Sequence, residues 1–221
     1  MIEVNDIHKS FGDHEVLKGI DATFYKGQTN LIIGQSGSGK TVFLKSLVGL
    51  HDIDSGDIVY NGRALGSLNN KERKSLRTEM GMVFQGNALF DSLTIEENVT
   101  FALNMFSDMS LSEKRDRANF CLERVNLPNV AKKFPSELSG GMQKRVAIAR
   151  AISMNPKYLF CDEPNSGLDP KTAIVIDKLL QEITEEFGMT TVINTHDMNS
   201  VIEIGAYIIF IKEGKKAWQG T

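Results

Sequence analysis

Gly34-Gln35-Ser36-Gly37-Ser38-Gly39-Lys40-Thr41 is the stretch on which the reading of this chain turns. It fits the pattern G-x-x-x-x-G-K-[ST]. Residues 29–33 just before it form a short apolar run that reads as a buried strand, and residues 40–49 after it carry helical spacing. A glycine-rich turn between strand and helix is the context in which this pattern has a mechanism. Glycines at 34, 37 and 39 let successive backbone N–H groups wrap phosphate oxygens, and the helix N-terminus adds its partial positive charge. Lys40 is then expected to reach the β- and γ-phosphates, and the Thr41 hydroxyl to ligate Mg²⁺. The plainer alternative is an ordinary glycine-rich strand–helix turn.

Upstream, alternating apolar residues over 2–24 suggest antiparallel strands, with turns at Gly12-Asp13 and Lys26-Gly27. Downstream, residues 57–60 read as a strand closed by the turn Asn61-Gly62, and residues 80–84 as another strand. From 86 to 154 the pattern is helical, with apolar residues three or four apart over 97–106, 112–125 and 141–154. After Pro156 strand and helix alternate again: strand 158–161, helix 171–186, strand 190–194, and strand 207–211 leading into a short hairpin. This pattern predicts an α/β core formed by residues 1–85 and 155–221 with a helical block over 86–154 inserted, all within one domain spanning 1–221.

Two further motifs carry chemistry. Tyr158-Leu159-Phe160-Cys161-Asp162-Glu163 is an apolar strand ending in two acids, and α/β sheets bind ligands at the C-terminal ends of their strands. Asp162 suits the water shell of Mg²⁺, and Glu163 suits polarising an attacking water. Leu138-Ser139-Gly140-Gly141-Met142-Gln143 precedes a strongly helical stretch. It reads either as a helix start capped by Ser139 or as a second anion site.

Phosphate loop, this motif and acid pair, in this order, resemble the ATP-binding cassette family across nearly the whole chain. The resemblance implies a P-loop NTPase core with an antiparallel β subdomain and an inserted helical subdomain, hydrolysing ATP with Mg²⁺. Other family positions follow residue by residue. Gln85 falls at the Mg²⁺-sensing Q-loop, Ser166-Gly167-Leu168-Asp169 at the D-loop, and His196 at the switch position near the γ-phosphate. Phe11 stands where the family places an adenine-stacking aromatic, although an ordinary strand-face core residue is the alternative. Phe11 lacks the usual tyrosine hydroxyl, and Asn165 replaces a common Ser or Thr. The family geometry further implies a two-fold homodimer in which Ser139, Gly140 and Gly141 close over the nucleotide of the other subunit.

Composition narrows the setting. The net charge of −3 argues against nucleic acid as the main partner, because domains that bind it usually carry a basic excess. Cys121 and Cys161 lie far apart in no metal or redox pattern, as suits a reducing cytosol. No apolar run approaches the ~20 residues that span a bilayer. Attachment to the cytoplasmic face of the inner membrane would then come from docking to separate permease subunits, near residues 85–99. Within that tract, Ala88-Leu89-Phe90-Asp91-Ser92-Leu93-Thr94 resembles ATPases of Mla-type phospholipid transporters, the Mce-associated class. That likeness implies phospholipid as cargo, possible accessory lipid-binding and regulatory subunits, and relatives that usually continue past the position of Thr221. It also makes Leu89 and Phe90 candidate permease contacts. The alternative is that Leu89, Phe90 and Leu93 pack the helical block. The rival cargo is betaine, an amino acid or another small solute. A DNA-repair or ribosomal cassette would need a long coiled-coil insert or a second cassette, and a small-molecule kinase leaves Ser139-Gly140-Gly141 and His196 unexplained.

Overall fold

The computed structural model describes residues 1–221. β1 (Ile2–Phe11) and β2 (His14–Phe24) turn back on each other at Gly12-Asp13, as the alternation predicts. β3 (Thr29–Ile33) leads through the glycine loop into α1 (Lys40–Leu47). β4 (Ser55–Tyr60) and the two-residue β5 (Arg63–Ala64) complete an antiparallel sheet of order β2-β1-β4-β5.

Next come α2 (Asn70–Thr78), β6 (Met80–Val83), and the helical block α3 (Ile95–Phe106), α4 (Leu111–Arg124) and α5 (Gly140–Ile152). The chain returns to alternation with β7 (Tyr158–Asp162), α6 (Pro170–Phe187), β8 (Thr190–Asn194), α7 (Met198–Ile204), β9 (Tyr207–Lys212) and β10 (Lys215–Gly220). The second sheet runs β10-β9-β3-β8-β7-β6, parallel except for the β9–β10 hairpin.

Every residue of β7 and β8 is buried, as expected of parallel strands covered on both faces. Successive side chains go to opposite sides. Leu31, Leu159, Cys161 and Ile193 pack under α3–α6, whereas Ile32, Phe160 and Val192 pack against α1 and the antiparallel sheet. α1 is thereby wedged between two sheets by Phe43, Leu44 and Leu47.

The helices begin where side chains satisfy their free N–H groups. Thr94 with Glu97 and Ser110 with Glu113 form capping boxes on α3 and α4, so both begin one or two residues before the expected positions. Two helices escape the periodicity argument. α2 buries only Leu76, and α7 is seven residues long with only Ser200 and Ile204 buried. Each covers too little core to impose an apolar period. Cys121 and Cys161 are buried and unpaired, and burial pushes both thiols up, Cys121 to about 11.

Candidate functional site

β3 delivers the glycine loop to the C-terminal edge of the parallel sheet. A Cβ at Gly34 would lie 2.2 Å from the Ile211 carbonyl on β9, so no side chain fits there. Lys40 is buried, and its Nζ donates to the carbonyls of Gly34 at 2.9 Å and Gln35 at 3.0 Å. Burial lowers its pKa, while the charges of Glu163 and Asp162 oppose the shift. The buried Ser38 hydroxyl has no partner within the protein.

β7 and β8 are hydrogen-bonded neighbours, which sets their last residues side by side. Thr41 Oγ1 donates to Asp162 Oδ1 at 3.2 Å, and Asn194 Nδ2 donates to the same oxygen at 2.6 Å and to Thr41 Oγ1 at 3.1 Å. Thr41 and Asp162 are a hard-oxygen donor pair. The chain has no cluster of three or more His, Cys, Asp or Glu side chains to cage an ion. One or two protein oxygens beside phosphate oxygens are what Mg²⁺ takes, so the residues fit Mg²⁺ bound together with nucleotide.

Glu163 follows with φ 46°, in the left-handed region, where a non-glycine residue costs about 1–3 kcal/mol. The turn presents its carboxylate to two partners from the flanking strand ends. Gln85 Nε2 donates to Oε2 at 3.0 Å, and His196 Nδ1 lies 2.8 Å from Oε1. These three residues, distant in sequence, line one cleft of about 530 Å³ together with Ser36, Gly37, Gly39, Lys40 and Thr41. The size suits a nucleotide.

Other expected positions lie apart from this cleft. Ser139 caps α5, accepting from the Met142 N–H at 3.4 Å, and Gly140 and Gly141 face Leu168 and Thr172 beside the start of α6. A Cβ at Gly141 would sit 2.8 Å from Thr172 Cγ2. Asp169 caps α6, accepting from the N–H groups of Lys171 and Thr172 at 3.1 Å, and the Thr172 hydroxyl donates to it as well. Those bonds hold its carboxyl below the usual range. Phe11 is 47% exposed, so the core-residue alternative fails; its ring meets His51 edge-on at 5.4 Å. The cleft wall on that side consists of His14 and Val16, which the sequence reading did not single out. Gln85, expected at the metal, gives its Nε2 to Glu163.

Several residues with a part in this geometry were not predicted. Asn194 is a polar residue ending an otherwise β-branched strand, the one signal that marked it. Asn165 is buried and donates to Asp177 Oδ2 at 3.3 Å and Ser200 Oγ at 2.9 Å, and Ser200 Oγ donates to Asp177 Oδ2 at 2.7 Å. The departure at Asn165 thus has a structural partner set.

The docking tract divides. Leu89 and Leu93 are half-buried, with Leu89 packed on the core under the helical block. Phe90 is exposed and stacks on Phe101 at 4.6 Å, at the edge of an apolar groove of about 400 Å³ that includes Met80, Met82, Phe84 and Met154. Asn98, fully buried, holds the loop's shape by accepting from the Phe90 N–H and donating to the carbonyls of Phe90, Leu93 and Thr94.

Comparison with known proteins points to one family. The family model described as "ABC transporter" matches residues 17–166. A methionine import ATP-binding protein of Clostridium tetani is 43% identical over 217 residues, 98% of this chain and 67% of that protein. A glutamine transport ATP-binding protein of Escherichia coli is 41% identical, covering 100% and 91%. A probable ribonucleotide transport ATP-binding protein of Mycobacterium tuberculosis is 39% identical, covering 90% of this chain and 55% of that one. Among solved structures, a dimeric bacterial ABC transporter cassette superposes with TM-score 0.90 at 34% identity, covering 100% of this chain and 98% of that one. A dimer of the same cassette bound to ADP and Pi gives 0.89, again at 34% identity and with the same coverage.

Proposed function

The chain belongs to the ABC transporter family and is an ATPase that uses Mg²⁺, and from that premise we propose that it drives a membrane transporter for an amino acid or similarly small solute. The observation that carries the motor reading is the Glu163 carboxylate, held by Gln85 and His196 beside the Lys40–Thr41–Asp162 cradle. Nucleotide phosphates enter the glycine loop, and Lys40 turns from the loop carbonyls to the β- and γ-phosphates. Mg²⁺ bound with the nucleotide would be held by Thr41, by Asp162 through water and by the side-chain oxygen of Gln85, and would supply charge neutralisation at the phosphates. Glu163 accepts the proton of the attacking water, a service worth about 10²–10⁴ in rate. His196 keeps that carboxylate aimed and faces the γ-phosphate. Phe11 supplies the face on which adenine stacks.

Ser139, Gly140 and Gly141 lie outside the cleft of their own chain, which supports their facing the nucleotide of a second copy across a two-fold axis, with Asp169 at the crossing loop. The dimeric form of the similar cassette is consistent with this arrangement. No helix of the chain is long and apolar enough to cross a membrane. In this reading separate permease subunits dock on the groove at Phe90 and Phe101, with the protein at the cytoplasmic face of the membrane.

For cargo, the names of the methionine and glutamine relatives favour the small-solute reading over the phospholipid one expected from residues 88–94. There is a physical reason for that tract to mislead. If cargo passes through separate permeases, this chain's sequence carries nucleotide chemistry and the fit to a permease rather than cargo chemistry. Phospholipid stays as the second reading, carried by the Ala88–Thr94 likeness alone, and accessory lipid-binding or regulatory subunits belong to it. Purifying the chain with its permeases, reconstituting them in liposomes and following labelled amino acids and labelled phospholipid with and without ATP separates the two. ATP-dependent lipid movement with no solute uptake overturns the first reading.

A further inference from the structure

Lys144 lies one turn into α5 and is only 4% exposed. A buried ammonium is costly unless partners meet it. Its Nζ donates to the Gln85 carbonyl at 2.6 Å and lies 3.5 Å from Ser166 Oγ. Both partners bracket Glu163. The Gln85 side chain donates to the Glu163 carboxylate at 3.0 Å, and the Ser166 N–H donates to the Glu163 carbonyl at 3.1 Å.

Further along the same helix, Arg150 donates to the carbonyls of Ala88 at 2.6 Å and Asn87 at 2.8 Å. Asn87 and Ala88 both have positive φ, 61° and 50°, so this turn is strained and held from outside. Two cations of α5 thus grip three carbonyls of residues 85–88, between the apolar groove and the hydrolytic centre.

We infer that Lys144 is a positioning residue for hydrolysis: by holding the Gln85 carbonyl and the Ser166 turn it keeps the Glu163 carboxylate aimed at the attacking water, and so ties the placement of α5 to the chemical step. The inference rests on the reading of Glu163 as general base. It gives the helical block a direct mechanical link to catalysis within one chain. A displacement of α5 moves the Gln85 backbone, and with it the side chain that restrains Glu163. Misplacing a catalytic group by about 1 Å costs on the order of 10²-fold.

The test uses the full chain. Steady-state kcat and KM for ATP are measured for wild type, Lys144→Met, Lys144→Gln and Lys144→Arg, with Glu163→Gln in parallel. Nucleotide affinity is followed with a fluorescent ATP analogue, and folding by thermal melting. The expected result for Lys144→Met is a ~10–100-fold loss in kcat with KM and nucleotide affinity within about two-fold of wild type. Lys144→Arg restores most of the turnover. A lysine that only fills space would lower the melting temperature while leaving turnover per folded molecule unchanged, and that result overturns the inference. Should Lys144→Met fail to fold, Lys144→Gln, which keeps a donor without the charge, decides by the same split between kcat and KM. If Glu163→Gln is inactive while the Lys144 variants match wild type, only the positioning role falls. If Glu163→Gln retains turnover, the general-base reading falls and this inference goes with it.

Discussion

Asp177 offers a quantitative test of the buried network behind the D-loop. It sits on α6, 2% exposed, where burial raises its pKa to about 6; the bonds from Ser200 and Asn165 oppose the shift, and the charges of Asp197 and Glu203 add to it. An aspartate in the unfolded chain titrates near ~3.9. The folded value is higher, so the native state binds the proton more tightly than the unfolded state. Stability from this group therefore falls as pH rises through the window from ~4 to ~6, and the loss is complete above it. Two units at ~1.4 kcal/mol each give a penalty of about 3 kcal/mol at pH 8, against about 1 kcal/mol at pH 4.5. Asp177→Asn cannot ionise. Its Oδ1 still accepts from Asn165, and its amide can donate to the Ser200 hydroxyl, which rotates to accept. Relative to wild type, the variant should therefore gain about 2 kcal/mol more at pH 8 than at pH 4.5. Urea denaturation of both proteins at the two pH values measures this, and the difference cancels titrations common to both. An offset that is the same at both pH values would refute the reasoning.

Ser139→Arg should leave ATP binding to dilute monomer intact while abolishing hydrolysis, at a stability cost of about 1 kcal/mol for the lost cap of α5; equal loss of nucleotide affinity in the monomer would place Ser139 in its own chain's site. Phe11→Ala should weaken nucleotide binding by about 1–3 kcal/mol; Phe11 is exposed, so the fold should persist, as a melting curve checks. An unchanged dissociation constant removes Phe11 from the site and leaves that wall to His14 and Val16. Phe90→Asp should spare ATP binding and release or uncouple the permease, because it sets an unpaired charge in an apolar groove. Pull-down of the permease together with a melting temperature checks it, and retained, coupled permease would move the docking site elsewhere.

Much of the cassette was legible because its signals are local. A glycine loop between strand and helix depends on the conformations of eight consecutive residues, and the close approach of Gly34 to Ile211 only adds a reason for the first glycine. The strands of the parallel sheet were visible as short apolar runs, and α3, α4 and α5 as apolar stripes of helical period. α2 and α7 were not, because each lends the core so few side chains that its sequence carries no stripe. The acid pair at the end of β7 was likewise readable, since a strand terminus in an α/β sheet is a place where chemistry collects.

What that pair is bonded to was decided only by the tertiary structure. Gln85 and His196 meet Glu163 because β6, β7 and β8 lie side by side in the sheet, a strand order that no stretch of sequence states. Nothing in the sequence separates Lys144 from the other cations of its helix, yet α5 packs against β6 and turns it inward to the Gln85 carbonyl. Asp177, Asn165 and Ser200 come from three separate segments and form one buried cluster only when α6 and α7 close together. Leu89 and Phe90 are adjacent and equally apolar, and only packing sends the first to the core and the second to the groove. Local sequence determines backbone conformation and the types of group available; which groups meet across 30 to 80 residues depends on how sheets and helices share a core.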